Sequence, residues 1–592
     1  MKRSVLWLAI SALVVLALVL ASCRPAAVEE EGERIVGKVV EKEEKVTEKE
    51  KEVVPEVKGP QYGGILSVTE YTEAPGYDPW WYHGAGYADF VCEQLNYGDI
   101  TLTEEQWAFT GNYSPSSIRA GCLAESWEAP DISTAVFHLR KGIHWQNIPP
   151  VNGREFTADD VVYTVNRLMS PQSPAYATWK ASQLKSVTAL DKYTVEFKYD
   201  PPLNDMMEGF SFFIVPHEVV EEYGDLSNPR NFVGTGPFMV DDYVQGNSWT
   251  FKRNPTYWGK DPLNPENRLP YVDGVQVLII GDEATRLAAL RSGKVDMLDR
   301  RPYVPALKAE TLIRTNPELK YRQFAFERAV FFVINNANEP LDDVRVRQAL
   351  SMAIDRKAIV EDYYKGRGYC GTYPFAPGWK DYYVPIEQRP ENIRKLYEYR
   401  PEEAKKLLAE AGYPNGFKTE FIAETTQPEF TNIALLCKEW WKDIGVDVEI
   451  KMMEYPQLIT QMVSHAYKGM VFCFAGYSFP ARSLSFWYVP EGTTGCTPSN
   501  WPCVNDPVHN ANWEAIRDCF DKAERVELIK KAAEYAQEQV WNIDMCSHYF
   551  YVFWWPWVKG PYWGQTQLYY MSSGSMYKYL WLDSQLKKSM GF

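Results

Sequence analysis

The sequence predicts a mixed α/β fold, on three observations. Short apolar or alternating runs bounded by Gly, Pro and Asp read as strands. Amphipathic stretches with recognisable start and stop residues read as helices. At least one such helix runs directly into an alternating strand, the order found in parallel βαβ units.

Taken in order, Ile65-Leu66-Ser67-Val68, after Gly63-Gly64, has the pattern of a short buried strand. Val136–Leu139 and Tyr193–Phe197 read as strands, the second alternating cleanly. Thr157-Ala158-Asp159-Asp160 resembles a capping box, and Val161, Val162, Val165 and Leu168 follow it along one helical face. Gly234 and Gly236, before Pro237, read as a turn that needs special backbone angles. A helix starting near Asp342 carries Val346, Leu350, Ala353 and Ile354 on one side. Another starts at Pro401, with Glu402 and Glu403 at the positive end of its dipole. It buries Ala404, Leu407, Leu408 and Ala411 and stops at Gly412. A further helix ends near Gly445, after which Val446, Val448 and Ile450 alternate as a strand.

The 592 residues allow about four structural units at roughly 150 residues each, or fewer large ones. With 45% hydrophobic and 24% charged residues, wholesale disorder is excluded. The charge sum, 62 − 78 = −16, gives a surface that repels phosphate backbones and argues against a nucleic-acid partner. Aromatics make up 15%; most of them fill a large core, and the remainder suit stacking on sugars, bases or peptide groups.

The N-terminus supplies an address. Lys2 and Arg3 precede an apolar run from Val5 to Ala21, too short for a stable span and typical of an export signal over 1–22. Leu20-Ala21-Ser22-Cys23 resembles the lipobox of bacterial lipoproteins, which implies that Cys23 is lipidated and that the rest lies outside the cytoplasm. Residues 28–58 hold eleven Glu and seven Lys or Arg without one aromatic, so 23–59 reads as a lipid anchor and charged tether. No later run approaches the roughly 18 apolar residues of a membrane span. In an oxidising compartment some of the nine remaining cysteines should pair. Cys496 with Cys503 is the best local pairing and Cys92 with Cys122 a second, although spacing does not fix connectivity.

A series of short blocks then carries a family resemblance. They are Leu123-Ala124-Glu125-Ser126-Trp127-Glu128, Leu139-Arg140-Lys141-Gly142-Ile143-His144-Trp145, Phe156–Tyr163, Gly234–Phe238, Arg253–Trp258 and Ser292–Asp296. Asp343–Leu350, Ala353–Arg356, Leu407–Tyr413 and Ile444–Val448 follow. In this order they resemble the solute-binding proteins of the peptide/nickel/oligosaccharide class of ABC importers. The resemblance implies a two-lobed periplasmic-binding-protein-like fold of the large class II type, with an extra subdomain inserted in lobe I. Carried onto this chain, lobe I takes 60–88, 229–325 and 545–592, the inserted subdomain 89–228, and lobe II 326–544. It also implies a monomer that encloses a small-molecule ligand, a peptide or an oligosaccharide, and docks on a permease whose ATPase subunits supply the energy. No cofactor is expected. Arg345, Arg347 and Asp355 read as scaffold ion pairs.

In this family three loops line the cleft. Here the first contains Trp80, Trp81, Tyr82 and His83; the second contains Tyr373, Phe375 and Trp379; the third contains Tyr477, Ser478 and Arg482. Peptide binders usually carry an Asp in the third, which pairs with the ligand's amino terminus. This chain has no Asp or Glu from Met470 to Pro490, and Ser478 falls nearest that place. The absence leaves two expectations open. An acid from elsewhere, such as Asp78 or Glu424, serves a peptide amine, or the rings serve an uncharged oligosaccharide.

Other functions lack their motifs. The seven His show no metal-ligand spacing, Met452-Met453 reads as strand-end packing, and His217-Glu218-Val219-Val220-Glu221 lacks the second His of a zinc-protease helix. There is no Gly-x-Ser-x-Gly elbow or phosphate loop, so no enzyme is expected, a glycosidase being a distant third reading. A sensor that presents its ligand to a membrane receptor is the nearer alternative, separable from import by a permease and ATPase in the same operon.

Overall fold

The computed structural model describes residues 59–73, 77–79, 87–103, 106, 115–173, 183–200, 202, 204, 207, 212–298, 304–325, 329–377, 379, 381–425, 428–475, 481, 484, 500–561 and 576–592. All lie in the compact unit Val54–Phe592.

Two sheets organise the body. The first has eight strands around Ile65–Glu70, the strand expected after Gly63-Gly64. Ile65–Glu70 pairs in parallel with Gly274–Ile279 on one side and Met297–Leu298 on the other. Beyond Gly274–Ile279 come Ser248–Arg253 and then Phe238–Val244, both antiparallel. Beyond Met297–Leu298 lies Phe550–Trp554, from the far end of the chain, which also accepts Val304–Pro305 and Lys320–Phe324. Trp249 and Phe251, two residues apart and so on one face, are buried with ring centroids 5.6 Å apart. Phe251 also stacks on Phe90 at 4.3 Å.

The second sheet runs Asp447–Met453, Lys418–Glu424, Met470–Ala475, Ala329–Ile334, Asn542–Asp544. Lys418–Glu424 is parallel to both neighbours, and helix Pro428–Asp443 returns the chain to Asp447–Met453, the βαβ unit the sequence announced. Ala329–Ile334, with the apolar sequence AVFFVI, is antiparallel to both of its neighbours. Such a run is what a strand buried on both faces requires. Val330, Phe332 and Ile334 enter one core with Phe421, Trp441 and Phe472. Phe331 and Val333 enter another, on the opposite face, with Tyr373, Ile422 and Trp541.

Between Ile65–Glu70 and Phe238–Val244 the chain inserts a four-stranded antiparallel sheet, ordered Ala124–Asp131, Thr134–Leu139, Thr194–Tyr199, Leu184–Asp191. Its core is continuous with that of the first sheet. Helix Ala158–Leu168 covers it through Val161, Val165 and Leu168, and Asp160 accepts the Thr157 N–H at 2.9 Å. Helices Val344–Met352 and Pro401–Glu410 form within two residues of the expected starts near Asp342 and at Pro401, Asp343 capping the first by accepting from Arg345 N at 2.8 Å. Arg345 pairs with Asp343, whereas Arg347 spends its guanidinium on the carbonyls of Leu341, Asp342 and Gln539. Both are scaffold residues.

Three sequence readings need correction. Gly234 and Gly236 do not have left-handed backbone angles. They are glycines because the backbone of Val91 passes over them: a Cβ on Gly234 would lie 1.8 Å from Val91 O, and one on Gly236 2.6 Å. Cys92 and Cys122 do not pair; both are buried free thiols. The bridge is Cys370–Cys546 instead. Cys503 is also disulfide-bonded, to a cysteine outside the described residues, where Cys23 and Cys496 fall. Of Met452-Met453, finally, Met453 packs against the core at the strand's end as expected, but Met452 is 46% exposed.

Candidate ligand-binding site

The chain passes between the two sheets twice. The first passage joins Lys320–Phe324 to Ala329–Ile334, and the second joins Asn542–Asp544 to Phe550–Trp554. Both meet the second sheet at the same end: Ala329 lies opposite Ala475, and Asp544 opposite Phe331. Lys418–Glu424 runs parallel to Met470–Ala475, so its carboxyl end, Glu424, points to that end too. The carboxyl ends of parallel strands are where open α/β sheets receive ligands.

The second passage is fastened to the second sheet's side. Cys546 is bridged to Cys370, Ser547–His548 pairs with Gly368–Tyr369, and Tyr549 N donates to Arg367 O at 2.9 Å. His548 Nε2 lies 2.9 Å from the Glu429 carboxylate, which also accepts the Tyr364 hydroxyl at 2.6 Å. The very next residue, Phe550, already belongs to the first sheet, opposite Phe324 and Pro305. The change from the second sheet to the first thus falls at the Tyr549–Phe550 junction. Arg367 reaches across it, 3.4 Å from Glu310.

Beneath the 370–389 loop lies a buried polar hub. Arg356 donates to Asp544 O at 3.0 and 2.9 Å and to Ser351 O at 2.9 Å. Arg389 holds Gly371 O and Val384 O, both at 2.8 Å. Burial pushes the Asp544 carboxyl up to about 6, with Arg389 and Arg356 pulling the other way.

Of the residues expected to meet ligand, Trp80, Trp81, Tyr82, His83, Tyr477, Ser478 and Arg482 lie outside the described residues, as does Cys23. Tyr373, Phe375 and Trp379 are described, and all are at most 3% exposed. Their rings are taken up by the second sheet's own core: Tyr373 meets Phe331 edge-on at 5.4 Å, and Phe375 packs on Trp379 at 5.4 Å and Tyr382 at 5.6 Å. The cavity beside them, lined by Tyr373, Phe375, Arg389 and Gln537, measures about 10 Å³ and holds one water at most.

The two acids weighed as amine partners differ. Asp78 is fully buried and held by Arg167 through both oxygens, at 2.8 and 2.5 Å, while its Oδ2 also accepts Leu226 N. It is a structural anion, already neutralised. Glu424, 8% exposed, stands at the carboxyl end of Lys418–Glu424, the middle one of the sheet's three parallel strands. Among the described residues no three His, Cys, Asp or Glu side chains gather as a metal site. No described helix is long and apolar enough to cross a membrane.

The sequence reading missed the Cys370–Cys546 bridge and the Asp544 hub. Partners 176 residues apart leave no local spacing signal. Arg356 was visible within a matching block, but most of its hydrogen bonds go to backbone carbonyls, which no side-chain pattern encodes.

Two lobes joined by paired passages, with an insertion in the first, define a bilobed solute-binding protein. The family model of bacterial extracellular solute-binding proteins, family 5 (middle) matches residues 120–495, and the chain belongs to that family. It is 29% identical over 435 residues to heme-binding protein A of Haemophilus influenzae, covering 69% of this chain and 75% of that one. It is 30% identical over 356 residues to the periplasmic oligopeptide-binding protein OppA of Salmonella typhimurium, covering 56% and 62%. Among solved structures, DppA of Helicobacter pylori in complex with peptide STSA superposes with a TM-score of 0.68 at 23% identity, over 88% of this chain and 99% of that one. The oligopeptide-binding protein AppA of Bacillus subtilis in complex with a nonapeptide gives 0.67 at 21%, over 89% and 100%. These likenesses show the fold.

Proposed function

We propose that this solute-binding receptor captures short peptides between its lobes and hands them to the permease and ATPase subunits of an importer. The observation that carries the ligand class is Glu424, an acid at the carboxyl end of the lobe II strand Lys418–Glu424, on the side where both passages enter. From there its carboxylate takes the role of the Asp that peptide binders keep in the segment corresponding to 470–490, and pairs with the ligand's amino terminus. Relatives named for oligopeptide and dipeptide binding support the same class.

In this reading lobe I comprises 60–88, 229–325 and 550–592, the inserted subdomain 89–228 and lobe II 326–549, the last boundary lying beyond the expected 545 because Met545 and Cys546 enter the second sheet's core. Trp80, Trp81, Tyr82 and His83 face the ligand from lobe I; Tyr477, Ser478 and Arg482 face it from lobe II. Tyr373, Phe375 and Trp379 brace the 370–379 loop from behind. Cys23 carries the lipid that holds a monomeric receptor at the outer face of the membrane, after removal of 1–22.

The test is mass spectrometry of molecules released by mild denaturation from the full chain, followed by titration of one released peptide and its N-acetylated form. Peptides, with Glu424→Gln weakening the free-amine form alone, support the proposal. A hexose ladder overturns it in favour of oligosaccharide binding, the reading favoured by the acid-free 470–490 segment.

A further inference from the structure

The inserted subdomain meets lobe II at a place that belongs to neither passage. Asn204, in the loop after strand Thr194–Tyr199, turns its side-chain amide onto the end of lobe II helix Pro507–Asp518. Its Nδ2 donates to Ile516 O at 2.6 Å, Arg517 O at 3.0 Å and Cys519 O at 3.1 Å. The end of a helix carries its negative pole and attracts N–H donors. Here Ile516 O also accepts Cys519 N at 3.4 Å and Cys519 O accepts Arg525 Nη1 at 3.1 Å, and Asn204 adds a donor from the other lobe. Leu102 and Ile118, from the same subdomain, pack against the lobe II core that contains Ile516. Three points of the inserted subdomain thus rest on lobe II, and of these only Asn204 supplies hydrogen bonds among the contacts described.

We propose that Asn204 is a positioning residue for capture: a latch that forms when the lobes close and breaks when they part. It rests on the two-lobe capture reading above, but not on the ligand's identity. Apparent affinity is the intrinsic affinity scaled by the fraction of molecules in the binding-competent state. A latch remote from ligand therefore raises affinity for every ligand by the same factor. Asn204→Ala removes the donor and is expected to weaken binding about three- to tenfold. Asn204→Asp sets a carboxylate against three carbonyls and the negative helix end, and weakens it further.

The test uses the full chain with spin labels carried on a non-cysteine amino acid at Leu190 in the inserted subdomain and Leu435 in lobe II, both exposed. Interlobe distances are recorded by pulsed electron resonance without ligand and with a pool of random tri- to hexapeptides. Wherever the wild-type chain shows a short-distance population, the proposal expects Asn204→Ala to deplete it and Asn204→Asp to deplete it more. Unchanged distributions in both variants overturn it. In parallel, Asn204→Cys is oxidised and a bond to the free Cys519 sought by peptide mapping. If peptides close nothing but this bond forms, the latch stands and the peptide reading is at fault. If neither a short population nor the bond appears, the latch is refuted.

Discussion

Arg167 grips Asp78 through both carboxylate oxygens, across 89 residues of sequence. The pair ties the first-lobe loop to the helix of the inserted subdomain, with Asp78 wholly buried and the Arg167 side chain 11% exposed. Removing one partner strands the other charge in an apolar interior. Asp78→Asn is expected to lower stability by about 3–5 kcal/mol, read from denaturant midpoints. Ligand affinity of the fraction that folds should be unchanged. An affinity loss at constant stability would instead return Asp78 to the ligand.

Two tryptophans separate contact from support. Trp81→Ala is expected to weaken ligand binding by about 1–3 kcal/mol with little change in stability, as for a ring stacked on ligand. Trp379→Ala should do the reverse, costing about 3–5 kcal/mol of lobe II stability, because its ring lies inside the core beside Phe375. Calorimetry of binding and of unfolding on the same two variants checks both.

Asp544 makes stability fall as pH rises. Its native carboxyl titrates at about 6, against 3.8 for the ordinary group. Between those values the native state holds the proton that the unfolded chain has released. The contribution is therefore fully present below about 3.8, is lost as pH climbs through about 6, and is flat above. Asp544→Asn keeps the shape without the buried charge. Relative to wild type it is expected to gain about 1–3 kcal/mol at pH 8 and much less at pH 4.5, in paired thermal melts.

The Cys370–Cys546 bridge closes a loop of 176 residues of separation, for which chain-entropy arguments give up to about 5 kcal/mol. A Cys370→Ser, Cys546→Ser double variant should unfold lobe II at lower denaturant. The amides of 545–549 should also exchange faster while those of Phe550–Trp554 keep their protection. Equal exchange in variant and wild type would mean that the strand pairing alone holds the passage.

What the sequence made legible was local. The capping box at Thr157, the helix starts near Asp342 and at Pro401, and the helix-to-strand order before Val446 placed elements to within two residues because their causes lie close by in the chain. Gly234 and Gly236 were noticed for the wrong reason, since the constraint is the Val91 backbone, more than 140 residues earlier in the chain. The same limit governed the second loop. Tyr373, Phe375 and Trp379 look like any ring-rich binding loop in one dimension, and only the position of Phe331 decides that they face inward. Asp78 read as a free acid until its partner in the helix came into view.

The strand Phe550–Trp554 is among the last in the chain, yet it holds four others together: Met297–Leu298, Val304–Pro305, Lys320–Phe324 and, through the first of these, Ile65–Glu70. Asn542–Asp544 likewise finishes the second sheet. Neither lobe can complete its hydrogen-bonded ladder while the nascent chain is still short of these segments. A chain interrupted at residue 541 would leave two unfinished sheet edges and an unpaired Cys370. Fragments of this protein should therefore be prey for proteases rather than half-receptors, and maturation a single event timed by the arrival of the C-terminus.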